Sequence, residues 1–162
     1  AIQLAKALGC RVIAATHRES KFPLLTEAGA DECVLDDGTL TGKVRGVTKA
    51  LDLVGPSVLR DTLTAVEKGG IVCDTGILGG VYTLEGFDPI KEIPNGVYLT
   101  GFFSNYPTQE IMDEIFAFLN THELTPVIGR VFDFEDIRNA CLAQDQKTVN
   151  GKIVVRVEGE TE

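Results

Sequence analysis

Short apolar runs alternate with amphipathic helical patterns along most of this 162-residue chain. The runs are rich in β-branched residues, and before residue 104 they read RVIAAT, ECVLD, KALDLVG, GIVCDTGI and VYLTGFF. Between them apolar residues recur at helical spacing, and the first two patterns stop at Gly9 and Gly29. Apolar strands that alternate with helices favour a parallel sheet with helices on its faces. We therefore predict an α/β fold with a mainly parallel sheet and flanking helices.

The remaining elements are predicted from helix-capping residues and from apolar residues that recur at helical spacing. Ser57 is predicted to cap the helix VLRDTLTAVEK, and Thr108 the helix QEIMDEIFAFLNTHEL. Residues 81–95 are expected to be irregular. The tail predicts a strand (VIGRVFDF), a helix (EDIRNACLAQDQ) and a last strand (KIVVRV). The predicted inward stripes of the two capped helices are Val58, Leu59, Leu63 and Val66, and Ile111, Ile115, Phe118 and Leu119.

Composition excludes several classes of function. The formal net charge of −9 argues against nucleic-acid binding, which relies on clustered Lys and Arg. No apolar run approaches the length of a membrane span. The four cysteines are scattered and the histidines number two, so no metal-ligand spacing occurs and the cysteines are interpreted as small buried apolar residues. We expect a cytoplasmic protein with no zinc in this chain.

The ends of the predicted strands are the places to look for a ligand, because open parallel sheets bind ligands beyond the carboxyl ends of their strands. This rule selects the segments after Ala15, Val54, Thr75 and Phe102. Small or polar residues there allow the backbone to approach a ligand closely. The alternative is that these glycines only form turns.

A dinucleotide-binding unit places a glycine-rich turn between its first strand and first helix, and no GxGxxG occurs here. The order helix, strand, helix, strand from Ala1 is nevertheless the order that follows such a turn. We expect the first strand and the phosphate loop to lie upstream, which leaves weak or undetectable NADPH binding by this chain alone. The two strand edges left unpaired predict association into a homo-oligomer. A natural start at Ala1 is the alternative.

The second strand of such a unit selects the cofactor, and here it ends AATHRESK. An acid at this point favours NAD, whereas basic residues accommodate the 2′-phosphate of NADP. Arg18 can bind a phosphate through its planar guanidinium, and Lys21 adds a second positive charge. A solvated helix start is the alternative interpretation.

Taken in order, the stretches AIQLAKALGCRVIAATHRESK, LLTEAGADECVLDDG, ALDLVGPSVLRDTL, VEKGGIVCDTGILGG, FDPIKEIPNGVYLTGF and NGKIVVRV resemble the medium-chain dehydrogenase/reductase superfamily. The resemblance is to its quinone-oxidoreductase-like branch, often called zinc-type alcohol dehydrogenases. It implies that residues 1–125 are a truncated NADP-binding Rossmann domain. Residues 126–162 would be the C-terminal segment that returns to the catalytic domain. The family's zinc ligands and most of its substrate pocket would lie upstream.

The resemblance also implies cofactor contacts at the strand ends and in the C-terminal segment. Arg18 and Lys21 match the basic positions that meet the 2′-phosphate of NADP, with Thr16 beside them. The positions that match the ribose and nicotinamide side are Leu53, Val54, Gly55, Gly76, Ile77, Leu78, Phe102 and Phe103. Lys152 matches a C-terminal lysine close to the cofactor. Asp36 and Asp37 stand where some relatives have a tyrosine beside the adenine, which predicts a mild electrostatic penalty near a 2′-phosphate.

The implied reaction transfers a hydride from NADPH to a quinone, enone or carbonyl substrate, a small molecule. The tyrosines Tyr82, Tyr98 and Tyr106 are the phenols available as acids, but packing or surface roles are expected for them, so no catalytic residue is assigned. Intact family members often form dimers through the strand at residues 98–103, which this chain keeps. The alternative function is a non-enzymatic Rossmann-like module that senses a nucleotide or forms an oligomeric scaffold.

Overall fold

The computed structural model describes residues 1–105 and 107–157. The chain divides into two compact units, Ala1–Asp113 and Glu114–Glu162. The division falls within one helix, and the boundary expected near residue 125 stays a prediction. Each unit is described by itself below.

The first unit alternates strands and helices as predicted. Its helices are α1 (Ile2–Ala7), α2 (Phe22–Glu27), α3 (Leu59–Ala65) and α4 (Pro89–Glu92). Its strands are β1 (Ile13–Thr16), β2 (Glu32–Leu35), β3 (Lys49–Asp52), β4 (Ile71–Asp74) and β5 (Tyr98–Gly101). Helix α4 lies inside the segment expected to be irregular. It forms because the Asp88 side chain accepts hydrogen bonds from the amides of Ile90 and Lys91, and Pro89 suits the first turn.

All strand pairs of the first unit are parallel, in two sheets. Strands β1 and β2 form one sheet, and β3, β4 and β5 form the other in that order. Among the described residues β1, β2, β3 and β5 therefore each have one unpaired edge. Thr16 pairs with Leu35 in the first sheet, and Asp52, Asp74 and Gly101 are in register in the second. The parallel strands and flanking helices confirm the predicted fold class. Because the strands of each sheet end side by side, the turns that follow them lie next to one another.

Helix α3 covers one face of the three-stranded sheet. Its Leu59 and Leu63, together with Val66 directly after the helix, pack with Val72 of β4 and with Val97 before β5, and Leu63 and Val72 are completely buried. Three of the four residues of the predicted stripe are therefore in the core, and burial of such side chains is the main stabilising contribution of the unit. The opposite face exposes large apolar residues: Leu51, Ile71 and Tyr98.

The predicted helix cap at Ser57 is wrong. Val58 is the capping residue of α3 and no side chain caps the helix. The carbonyl of Gly55 accepts the amides of Val58 and Leu59, so the turn itself satisfies the first donors of the helix. Ser57 Oγ lies against Gly79 instead.

The second unit contains the strands β6 (Ile128–Asp133) and β7 (Lys152–Arg156), which pair in parallel, and α6 (Ile137–Asp145). Phe132, Ala140 and Ala143 form its buried core. Helix α5 (Gln109–Thr121) spans the division of the units and has no buried residue, so its predicted stripe is not a core face among the described residues. The predicted cap is confirmed, since Thr108 Oγ1 accepts the Ile111 amide at 3.3 Å. In the part of the chain that the structure describes, every helix falls short of the length and apolarity needed to cross a membrane.

Candidate functional site

The turns that follow β3 and β4 are bound to each other at the carboxyl edge of the sheet. The Leu78 amide donates to the Leu53 carbonyl at 3.1 Å, and the Gly79 amide donates to the Val54 carbonyl at 3.0 Å. We call residues 53–55 and 76–80 the paired turns. The structure therefore brings together two of the three groups expected on the nicotinamide side, residues 53–55 and 76–78.

Glycine is required at the closest approach of the paired turns. A Cβ on Gly76 would lie 2.5 Å from Leu53 Cα and closer still to the Leu53 carbonyl oxygen. Gly55 has φ +88°, which L-residues rarely adopt, and a Cβ there would lie closer than 3.0 Å to the Gly76 carbonyl oxygen. Gly55 and Gly76 therefore allow the two turns to contact each other closely, in addition to forming the turns.

The Asp52 side chain is hydrogen-bonded to the turn that follows β3. This residue is only 4% exposed. Its carboxylate accepts the amides of Val54 and Gly55, each at 2.9 Å, and the hydroxyl of Thr62 in α3 at 3.0 Å. Hydrogen bonds to a carboxylate are stronger than those between neutral groups, so Asp52 ties the turn to both strand and helix.

Asp74 occupies the equivalent position under the second turn, in register with Asp52. Its Oδ1 is buried and has no hydrogen-bond partner among the described residues. Burial, and secondly the negative charge of Asp52, raise the pKa of the Asp74 carboxyl above its ordinary value, while the Gly76 amide acts in the opposite direction.

This acidic pair is not among the residues predicted from the sequence. The available signal was an acid ending each of two consecutive apolar strands, KALD and IVCD. That signal becomes a prediction of contact only when the register between the two strands is known.

Apolar side chains surround the paired turns and are open to solvent. Phe102 follows β5, where its amide donates to the Asp74 carbonyl at 3.0 Å and its carbonyl accepts the Thr75 hydroxyl at 2.7 Å. Phe102 thus joins the paired turns, and Phe103 follows it at 85% exposure. We call the exposed set the apolar rim: Leu53, Ile77, Leu78, Phe102 and Phe103. Solvent-facing apolar side chains beside open backbone suit a flat ring that is apolar on its faces and polar at its edge.

The predicted basic segment lies at the carboxyl ends of β1 and β2. The Thr16 hydroxyl accepts the Arg18 amide at 3.3 Å, and the Arg18 carbonyl accepts the Lys21 amide at 3.0 Å. The Asp36 amide donates to the Thr16 carbonyl at 2.9 Å, which places the segment after β2 beside the segment after β1. Arg18 is exposed and therefore accessible to an anion.

Lys43 belongs to the same edge and was missed by the sequence analysis. Its ammonium group donates to the Leu35 carbonyl at 3.1 Å and forms an ion pair with Asp37. The Lys43 hydrogen bond holds the pKa of Asp37 below its ordinary value, so Asp37 is ionised and paired. This pairing offsets part of the electrostatic penalty expected from Asp36 and Asp37. The contact between Lys43 and Asp37 depends on the path of the loop, so no local sequence pattern predicts it.

The remaining predicted residues are Lys152 in the second unit and three tyrosines, one of which lies outside the described residues. Lys152 begins β7 in the second unit, is exposed, and donates its amide to the Val127 carbonyl at 2.8 Å. Tyr82 and Tyr98 are 75% and 62% exposed, and Tyr106 lies outside the described residues. Within residues 1–105 and 107–157, no three His, Cys, Asp or Glu side chains are grouped to hold a metal.

Comparison with known proteins gives consistent matches along the chain. The sequence pattern of the family described as zinc-binding dehydrogenase matches residues 28–155. An alcohol dehydrogenase of Geobacillus stearothermophilus is 25% identical over 163 residues, covering 97% of this chain and 46% of that protein. The chain spans about half the length of the curated relatives it matches.

Solved structures match the fold. The quinone oxidoreductase of Thermus thermophilus, whose complex with NADPH is known, is 25% identical with a TM-score of 0.78, over 96% of this chain and 52% of that one. Bacillus subtilis protein yhfP, solved with NAD bound, is 22% identical with a TM-score of 0.76 over 96% of this chain and 49% of that one, and shows likeness of fold alone.

Proposed function

The chain belongs to the zinc-binding dehydrogenase family, and we propose that it is the cofactor-binding part of an NADPH-dependent oxidoreductase. The intact enzyme would transfer a hydride to a quinone, enone or carbonyl group of a small molecule. Residues 1–125 would form the cofactor domain, and residues 126–162 would return to the catalytic domain.

The paired turns carry this proposal. They offer open backbone at the edge of a parallel sheet, surrounded by the apolar rim, and glycine holds them at a separation that no side chain permits. This arrangement fits the nicotinamide end of the cofactor: residues 76–78 would meet its carboxamide, and residues 53–55 would lie beneath its ribose. Phe102 would lie on the nicotinamide side of the cleft, with Phe103 beside it.

Preference for NADPH over NADH is proposed from the charges at the ends of β1 and β2. Arg18 and Lys21 would bind the 2′-phosphate, with the Thr16 hydroxyl beside them. The Lys43 ammonium group supports this assignment, since it neutralises Asp37 at the same edge. Structures with NADPH bound and a structure with NAD bound both resemble this chain, so the choice between cofactors is proposed from these side chains.

The cofactor, when bound, supplies the hydride, and the protein orients it. The backbone of the paired turns would fix the nicotinamide edge, and the apolar rim would exclude water from one side of the ring. Lys152 is proposed to approach the cofactor in the intact protein. No side chain of this chain is assigned as the acid that protonates the product.

The test is the cofactor preference of the full-length gene product. Arg18→Ala should raise the KM for NADPH about tenfold or more while changing the KM for NADH little, because a charge-assisted contact to phosphate is lost. Arg138→Ala removes an exposed arginine of α6 in the second unit and should change neither value. Equal effects of Arg18→Ala on both cofactors would contradict the NADPH assignment. A full-length protein that binds neither cofactor would contradict the proposed function.

A further inference from the structure

Asp61 in the first turn of α3 is bonded to the loop that follows β2. Its carboxylate accepts the backbone amides of Leu40 and Thr41, the second at 3.4 Å. It also accepts the hydroxyls of Thr39 and Thr41, at 3.1 Å and 2.8 Å. One side chain of the helix thus receives hydrogen bonds from three consecutive loop residues. Because bonds to a carboxylate are stronger than those between neutral groups, the position of the loop depends on Asp61.

The bonds of Asp61 fix the start of a turn that ends at Lys43. The Leu40 carbonyl accepts the Lys43 amide at 2.9 Å, which closes the turn. The Lys43 ammonium group donates to the Leu35 carbonyl at 3.1 Å and pairs with Asp37. A continuous path of hydrogen bonds therefore runs from the Asp61 carboxylate to the Lys43–Asp37 ion pair.

We propose that Asp61 is a positioning residue for the cofactor preference: it fixes the turn that places the Lys43 ammonium group against Asp37, at the edge where NADPH would present its 2′-phosphate. The side chains of Lys43 and Asp37 are 32% and 56% exposed. An exposed ion pair gains little net stability against the lost freedom of a long side chain, so it persists where the backbone already brings the charges together. The inference rests on the proposed function for the identity of the ligand, whereas the dependence of the ion pair on Asp61 is a property of this chain alone.

The sign of the effect separates this role from simple electrostatics. Removal of the negative charge of Asp61, taken alone, would weaken repulsion of a bound phosphate and would lower the pKa of Asp37. Loss of the positioned turn acts in the opposite direction. Lys43 then leaves Asp37, whose unpaired carboxylate repels the phosphate. Because the Lys43 hydrogen bond is the main cause that lowers the Asp37 pKa, that pKa rises towards its ordinary value.

The experiment compares the full-length wild-type protein with Asp61→Ala, Lys43→Met and the double variant. Alanine removes every acceptor of the carboxylate and is a good helix former, so α3 is kept. The control is Asp31→Ala, since Asp31 also accepts a backbone amide, from Val12 at 2.6 Å, and pairs with Lys6. These contacts precede β1 and β2 and lie at the ends of the strands opposite to the proposed phosphate site. KM is measured for NADPH and for NADH in each protein.

Asp61→Ala should raise the ratio of the KM for NADPH to that for NADH about twofold to threefold. It should add no further change when Lys43 is already methionine, because it acts through Lys43. Asp31→Ala should leave the ratio unchanged. A ratio that responds to Asp61→Ala equally with and without Lys43 would overturn the inference.

The second readout is the pKa of Asp37, measured without cofactor by NMR of its side-chain carboxyl. This pKa should rise in Asp61→Ala and stay constant in Asp31→Ala. Asp61→Asn keeps a single acceptor oxygen and should shift both quantities in the same direction by less, and it takes the place of Asp61→Ala if that variant does not fold. An unchanged or lowered Asp37 pKa would overturn the inference. If no nicotinamide cofactor binds, the proposed function fails, and the Asp37 titration still decides the role of Asp61.

Discussion

Alanine substitutions at four glycines separate the two constraints that hold the paired turns. Gly76→Ala introduces only a clash, since its Cβ would lie 2.5 Å from Leu53 Cα. Gly80→Ala introduces only backbone strain, because φ is +74° and no atom lies within 4 Å of the added Cβ. Gly55→Ala introduces both. Gly101→Ala introduces neither, since its nearest neighbour, the Asp74 carbonyl oxygen, is 3.9 Å away.

The expected losses in free energy of unfolding follow from these geometries. Overpacking costs about 1–3 kcal/mol, and a non-glycine residue in the left-handed region costs about 1–2 kcal/mol. Gly76→Ala should therefore lose about 1–3 kcal/mol and Gly80→Ala about 1–2 kcal/mol. Gly55→Ala should lose the sum, about 2–5 kcal/mol, and Gly101→Ala should stay within about 0.5 kcal/mol of the wild type.

Urea unfolding followed by far-ultraviolet circular dichroism measures these differences in the first unit, and amide exchange of Leu78 and Gly79 locates them. Gly76→Ala and Gly55→Ala should lose protection at both amides, whereas Gly101→Ala should keep it. If Gly76→Ala proved as stable and as protected as Gly101→Ala, the close approach of the turns would be refuted.

Three further predictions concern the core and the charged contacts. Leu63→Ala should lower the free energy of unfolding by about 2–5 kcal/mol, because Leu63 is completely buried. Leu8→Ala, at a 68% exposed site, should change it by less than about 0.5 kcal/mol. Equal urea midpoints for the two variants would contradict this prediction. Burial acts to raise the pKa of Asp61, but hydrogen bonds led by the one from the Leu40 amide outweigh burial and lower that pKa. The stability that ionised Asp61 contributes is therefore present above about pH 4 and is lost as pH falls. The difference in free energy of unfolding between wild type and Asp61→Asn should narrow in acid, and a constant difference would contradict this prediction. Lys43→Met should raise the KM for NADPH more than that for NADH in the full-length protein, by a factor of about two to five, and an unchanged ratio would remove Lys43 from the cofactor preference.

Local patterns were sufficient for the strands and for the positions of the turns. The apolar runs each became a parallel strand, and the helix stripe Leu59, Leu63 and Val66 is buried, because apolar periodicity is a property of consecutive residues. The glycines after β3 and β4 were recognised as turn positions for the same reason. The Ser57 cap failed because the Gly55 carbonyl already satisfies the helix start, a competition that a capping pattern does not register.

By itself, then, the sequence determined an α/β fold and the strand ends at which a ligand would bind. The tertiary structure decided which residues meet there: the Asp52–Asp74 pair, the Lys43–Asp37 ion pair and the contact of Gly55 with the backbone of Gly76. Each depends on strand register or on the path of a loop, which are set by packing between segments distant along the chain. Whether a buried carboxyl has a donor within reach is likewise a three-dimensional property, so only the folded chain shows that Asp52 is satisfied and that Asp74 Oδ1 is not.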